Sequence, residues 1–251
     1  MNKITALILT KNEEKGVKKC IESLRFCDQI LVIDDNSDDN TVKIAEGLGA
    51  DVLKRSLNND FASQKNYGLI KAKHTWVLSL DADEIITNEL KNEIIEKLRN
   101  DGGVNGYYIR RSDVLWNKVM SYTEFGKSSF VRLARKDKGK WRRSVHEYWD
   151  VSGKLGRLSN QILHYSHTDM SQFVKNVGYY SEIHALENKK EGKSSNLLKI
   201  IIFPVIKFFD NIIIKKGLID GDRAVVGSLM MSFHSFLSWS TLWLLKKEKE
   251  N

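Results

Sequence analysis

Apolar and polar positions follow two rhythms along the first hundred residues. Ile4 to Leu9 is a nearly continuous apolar run, the pattern of a strand covered on both faces. Val17, Cys20, Ile21 and Leu24 then recur at i, i+3, i+4 and i+7, one face of an amphipathic helix. Gln29 to Ile33 predicts a second strand. Val42, Ala45 and Leu48 predict a second helix, closed by Gly49, and Asp51 to Leu53 a short third strand. A helix around Ala62 to Ala72 leads into an apolar strand from Trp76 to Leu80. Thr87 is placed to cap a helix with Leu90, Ile94, Ile95 and Leu98 inward. The series β-α-β-α-β-α-β-α predicts an α/β fold with a parallel, doubly wound sheet. Ligands of such sheets bind beyond the carboxyl ends of the strands. The polar strand ends at 10–13, 34–39 and 81–84 are therefore expected on one rim.

The rhythm changes at Gly102-Gly103. Residues 101 to 168 carry short strand-like pieces rich in Trp, Tyr and Arg, read as a mixed, partly antiparallel continuation of the sheet, and 171 to 190 read as helical. From Asn196 the chain is strongly apolar. Residues 197–214 include Lys199, Lys207, Asp210 and Pro204, which argues for a helix lying in a membrane interface with its lysines toward anionic head groups. Residues 224–245 are long enough for a span, but their serines, His234 and the lysine pair that follows also suit a helix packed on its neighbour and dipping into one leaflet. A pair of buried helices or a homodimer contact is the competing account. The expected division is 1–100, 101–190 and 191–251.

Composition narrows the partners. Forty Lys and Arg against 32 Asp and Glu leave a net charge of +8, which favours an anionic partner such as nucleic acid, phospholipid or a phosphorylated substrate. Cys20 and Cys27 form neither a metal spacing nor a disulfide framework, as expected in a reducing cytosol. The apolar run at the N-terminus is too short for a signal peptide and reads as the first strand.

The segment LSLDADE (78–84) ends a buried strand in Asp81, Asp83 and Glu84, carboxylates that repel one another unless a cation shares the site. A solvated turn serving the next helix, a phosphatase-type nucleophile and a divalent-metal site holding a diphosphate are the three readings. Asp34 and Asp35 decide for the third. A second acidic strand end in one sheet suits a nucleoside diphosphate lying across the rim, while Ser37 and Asp39 read as turn and capping residues.

LILTKNEE, LVIDDNSDDNTVKIA, FASQKNYGL and WVLSLDADE, in this order, resemble the nucleotide-binding half of inverting family 2 glycosyltransferases of the GT-A fold. Val145-His146-Glu147, Leu163 to Ser166 and GLIDG (217–221) resemble the branch that glycosylates the bacterial lipopolysaccharide inner core. The resemblance implies a GT-A, Rossmann-like nucleotide-diphospho-sugar transferase fold with a mostly parallel sheet and an apolar helical C-terminal extension. It places Thr10, Asn12, Glu13 and Asp34 along base and ribose, Lys65 near base or pyrophosphate, Asp81 by the ribose and Asp83 on a Mn²⁺ or Mg²⁺ ion. Asp35-Asn36 departs from the small pair, such as Ser-Gly, common in relatives.

Inversion at an anomeric carbon needs a base for the acceptor hydroxyl. Resemblance and chemistry favour Glu147, against a surface glutamate paired with Arg142 or Arg143. His146 is read as orienting a phosphate or the acceptor, or as merely packed. His164 reads as a second metal ligand or as a core histidine. The arginines at 110, 111, 132, 142 and 143, interleaved with Trp116, Trp141 and Trp149, would also suit nucleic acid. No nucleic-acid fold signature accompanies them, so nucleic acid is not expected. The implied activity is hexose transfer from a nucleotide-diphospho-sugar, UDP-linked, to a membrane-held glycolipid such as the lipopolysaccharide core. The expected location is cytoplasmic, at the inner face of the bacterial inner membrane. Another surface-glycan or protein acceptor, a nucleotidyltransferase and a basic binding module are the alternatives; residues 5–16 lack the glycine-rich loop of a nucleotidyltransferase.

Overall fold

The computed structural model describes residues 2–144, 147–167 and 169–247. Strand and helix alternate at the start as the periodicity predicts: β1 (Ile4–Thr10), α1 (Val17–Ser23), β2 (Gln29–Asp34), α2 (Thr41–Gly47), β3 (Asp51–Lys54), α3 (Phe61–Lys71) and β4 (Trp76–Asp81). Three-residue β5 (Glu84–Ile86), which no periodicity predicts, precedes α4 (Asn88–Arg99). Thr87 does cap α4, its hydroxyl accepting from the Leu90 N–H at 3.2 Å. Then come β6 (Gly106–Leu115), β7 (Lys118–Val119), α5 (Thr123–Lys127), β8 (Ser128–Arg135), β9 (Gly139–Arg142), β10 (Tyr148–Val151) and β11 (Leu155–His167). Helices α6 (Met170–Lys190), α7 (Leu197–Phe209) and α8 (Asp222–Lys247) complete the chain.

These elements form two compact units, Met1–Arg111 with Ser128–Tyr165, and Ser112–Lys127 with Ser166–Asn251. Their limits run differently from the divisions expected near residues 100 and 190. The reason is apolar: Leu115, Met120 and Phe125 share a cluster with Phe173, Val177 and Ala224, which draws residues 112–127 and α6 to the C-terminal helices.

The first unit is built on a sheet of order β3-β2-β1-β4-β8-β6-β11-β5. Its first four strands are parallel, and β8 joins β4 antiparallel, so the mixed continuation read from residues 101–168 is present. Alternating side chains supply two cores. Ile4, Ala6 and Ile8 meet α1 and α4 on one face, while Leu7, Leu9, Leu31 and Ile33 meet α3 on the other. A Cβ at Gly68 would run into the Leu7 side chain, so glycine lets α3 lie close on the sheet. Register fixes the rim. Thr10 lies beside Asp34 and Leu9 beside Asp81, so the two aspartates flank the end of β1. Strands two apart are separated by about 10 Å, the scale of a nucleoside.

In the second unit, the buried Asp220 carboxylate accepts the backbone N–H groups of Ser121 and Tyr122 at 2.7–3.2 Å. The GLIDG stretch is thereby an internal clamp. Helix α7 buries Ile200 alone, whereas Leu197, Leu198, Ile201, Val205, Ile206 and Phe209 are each more than half exposed. Among the described residues no helix is long and apolar enough to cross a membrane. Within this unit α8 packs on α6, where the Ser238 hydroxyl donates to the Ser181 carbonyl at 3.2 Å.

Candidate active site

The carboxyl ends of β1, β2 and β4 present the rim residues, and two loops tie them together. Asp34 is buried and accepts from the Ser37 N–H at 2.9 Å and the Ser37 hydroxyl at 2.5 Å. Asn36 sits at φ 52, a left-handed turn position that asparagine tolerates in place of glycine. Asn12, also at φ 52, accepts from the Asp38 N–H at 3.0 Å and donates its own N–H to Ser37 at 2.9 Å. Asp39 accepts the Thr41 N–H at 2.9 Å, so it is a turn residue just ahead of α2, whose cap position is Asn40. Thr10 Oγ1 is buried at the strand end without a hydrogen-bond partner. A buried orphan hydroxyl costs free energy unless something bonds it, which suits a ligand atom.

Asp81 and Asp83 lie at the centre. Lys65 Nζ is 3.4 Å from Asp81 Oδ1 and Arg132 Nη2 is 3.4 Å from Asp81 Oδ2. Burial alone would raise the Asp81 carboxyl; Lys65 and then Arg132 outweigh it and hold Asp81 well below the usual carboxylate range. Asp83 Oδ2 is 3.1 Å from His164 Nε2, and this imidazole likewise overcomes burial and lowers the carboxyl. The pairing of β5 with β11 sets that contact, since His164 stands opposite Glu84 and the Tyr165 N–H donates to the Asp83 carbonyl at 2.9 Å. Glu13 has no such pairing. Burial first, then the Asp83 and Asp39 charges, push its carboxyl up to about 7.

Lys65 is wholly enclosed, unlike the solvated lysines common on helices. Its Nζ donates to Glu147 Oε1 at 2.7 Å and lies 4.6 Å from the centre of the Trp141 ring. Glu147 is thus paired with Lys65 rather than with Arg142 or Arg143; Arg142 pairs with Asp150 at 3.3 Å. His146 and Val145 lie outside the described residues, and with them the expectation for His146. The structure therefore gathers Lys65, Asp81, Asp83, Glu147 and His164, with Glu13 electrostatically coupled to Asp83. Thr10, Asn12 and Asp34 lie along the neighbouring strand ends.

Glu84 and Arg132, separate features of the sequence, form a pair in the fold. Glu84 is fully buried, accepting from Arg132 Nη2 at 3.0 Å and from the Asp81 N–H at 3.0 Å. Burial and then Asp81 raise its carboxyl, with Arg132 opposing. This pair sits beneath Asp81 and holds its backbone. Its signal is an arginine inside the inward-facing run Val131–Ala134, where an unpaired guanidinium could not be tolerated.

Asp83 and His164 also suit a divalent cation. Among the described residues no group of three or more His, Cys, Asp and Glu is arranged for a metal. A carboxylate and an imidazole are nonetheless a donor set that Mn²⁺ or Mg²⁺ accepts when diphosphate and water complete the shell.

Comparison with known proteins gives the same class. An uncharacterized glycosyltransferase of Rickettsia bellii (strain RML369-C) is 30% identical over 253 residues, covering 96% of this chain and 86% of its own. The lipopolysaccharide core biosynthesis glycosyltransferase LpsC of Rhizobium meliloti (strain 1021) is 27% identical over 212 residues, covering 82% of this chain and 78% of its own. Among solved structures, Staphylococcus aureus TarS aligns over 73% of this chain and 40% of its own at 15% identity, with a TM-score of 0.49. The α/β fold with parallel strands β1 to β4 is the one that the resemblance implied. The family model for Glycosyl transferase family 2 matches residues 5–152, and the chain belongs to that family.

Proposed function

We propose that the chain is an inverting, metal-assisted hexosyltransferase that takes its sugar from a UDP-sugar and passes it to a membrane-held glycolipid of the lipopolysaccharide-core type. The observation that carries this reading is the convergence at one strand-end rim of Asp81, Asp83, His164, Lys65 and Glu147, from four separate segments. The nucleoside lies along Thr10, Asn12, Glu13 and Asp34, with Asp81 at the ribose. Asp83 and His164 would hold the Mn²⁺ or Mg²⁺ ion, which when bound would neutralise charge growing on the leaving diphosphate. Glu147 takes the proton of the acceptor hydroxyl as that oxygen bonds to the anomeric carbon. The bond from that carbon to the diphosphate breaks, and its electron pair leaves with the nucleotide. Similarity to LpsC supports the acceptor class. The exposed apolar side of α7 supports peripheral attachment at the inner face of the inner membrane, where nucleotide-sugar and nascent glycolipid meet, although Lys207 is paired with Glu124 rather than turned to head groups. A hydrolysis screen of nucleotide-sugars with Mn²⁺ tests the reading. One UDP-sugar should be cleaved well above the rest, and cleavage of none with any metal would reject it.

A further inference from the structure

Lys65 combines features that a ligand-binding lysine does not need. A lysine that grips a phosphate keeps its ammonium at the surface of the site, where the ligand can reach it. Lys65 instead has a side chain 1% exposed and three internal partners. Glu147 Oε1 is 2.7 Å away, Asp81 Oδ1 3.4 Å away and the Trp141 ring centre 4.6 Å away. Trp141 is itself tied to α3, because Asn66 donates to its carbonyl at 3.0 Å and accepts from its N–H at 2.9 Å. One helix turn therefore holds both the ammonium and the wall behind it.

We infer that Lys65 is the positioning residue of the general base: it fixes Glu147 against Asp81 and does not itself contact the nucleotide. The inference rests on the proposed role of Glu147. Among the described residues Glu147 is bonded through Oε1 alone, so the ammonium selects the oxygen that is occupied and leaves Oε2 for the acceptor hydroxyl. The double pairing also explains how the site survives the proton transfer. When the acceptor's proton reaches Glu147, that carboxyl becomes neutral and the ion pair weakens. A buried ammonium left alone would be strongly unfavourable, but Lys65 retains Asp81 as an anionic partner at 3.4 Å. When the proton departs, Glu147 is recaptured in the same orientation. Because Asp81 is the proposed ribose contact, the base is placed relative to the donor rather than to the acceptor alone.

A double-mutant cycle on the full chain tests this, reading transfer kinetics and UDP affinity for Lys65→Met, Lys65→Arg, Glu147→Gln and the double variant K65M/E147Q. Lys65→Met should lower kcat on the order of a hundredfold, as misplacement of a base does, while donor KM and UDP affinity stay within about threefold. Lys65→Arg keeps the charge and should recover part of kcat. On the Glu147→Gln background, Lys65→Met should cost no more than about twofold, because the two residues act as a unit. The double variant removes opposite charges together, so it carries the test even where Lys65→Met alone folds poorly. Equal losses in UDP affinity and kcat, or losses that multiply in the double variant, would overturn the inference and make Lys65 a nucleotide contact. Full activity of Glu147→Gln alone would instead reject the base assignment, a failure read without any Lys65 variant.

Discussion

Burial pushes the carboxyls of Asp83 and Glu13 the same way, upward, and the neighbouring charges decide where each ends. His164 faces Asp83 at 3.1 Å and keeps its carboxyl low, whereas Glu13 meets mainly other carboxylates and is lifted to about 7. A raised carboxyl means that the folded chain holds the proton more tightly than the unfolded one. In metal-free buffer, stability from this group is present below about pH 4.5 and is lost as pH rises to about 7. Since the side chain is partly solvated, the loss is discounted to about 1–2 kcal/mol. Urea unfolding at pH 5 and pH 8 should show this decline in the wild type and not in Glu13→Gln. An equal decline in both would remove Glu13 as its source. At this scale Asp81, Asp83 and Glu147, singled out in the sequence as carboxylates, are the ones the structure brings together around Lys65 and His164. Lys65 was harder to read, since lysine is ordinarily a surface residue. Its position nevertheless falls on the inward stripe of α3, with Ala62, Gly68 and Leu69, and that spacing marks it as enclosed.

Among the elements, the parallel half was the most legible, because strands buried on both faces and helices with one apolar stripe have distinct periods. β5 was not, since a three-residue strand has no period, and its partner β11 comes about eighty residues later in the chain. Helix α7 is apolar on the side that its unit leaves open, and residues 197, 198, 201, 205, 206 and 209 form a stripe about four residues apart in solvent. Pro204 sits inside the helix, and its carbonyl accepts the Ser232 hydroxyl of α8 at 2.7 Å. The proposed attachment assigns that stripe to the lipid surface. Burying an isoleucine contributes about 1.5–3 kcal/mol, so Ile201→Asp with Ile206→Asp should weaken binding to anionic liposomes on the order of a hundredfold or more. Both positions are exposed, so the melting temperature should hardly change. Unchanged liposome binding in a folded double variant would assign the stripe to another role, such as a contact between two copies.

On the scale of the whole molecule, the net charge of +8 and the acidic rim are reconciled once their locations are separated. The rim carboxylates are matched internally by Lys65, Arg132 and His164, so they do not repel an anionic donor as a bare cluster would. The family and the α/β class could be read from ordered motifs in the first unit. The boundary of the second unit could not, because residues 112–127 join it through apolar contacts that no local period records. The central claim is that this rim is a nucleoside-diphosphate site whose Asp83 works with a divalent cation. Calorimetric titration of UDP into the full chain, with Mn²⁺ and with chelator, measures it directly. UDP should bind at least about tenfold more tightly with Mn²⁺, a coupling of about 1.4 kcal/mol, and Asp83→Asn should abolish that gain while leaving the fold intact. UDP binding of equal strength with and without the ion, or a gain that survives in Asp83→Asn, would contradict the account.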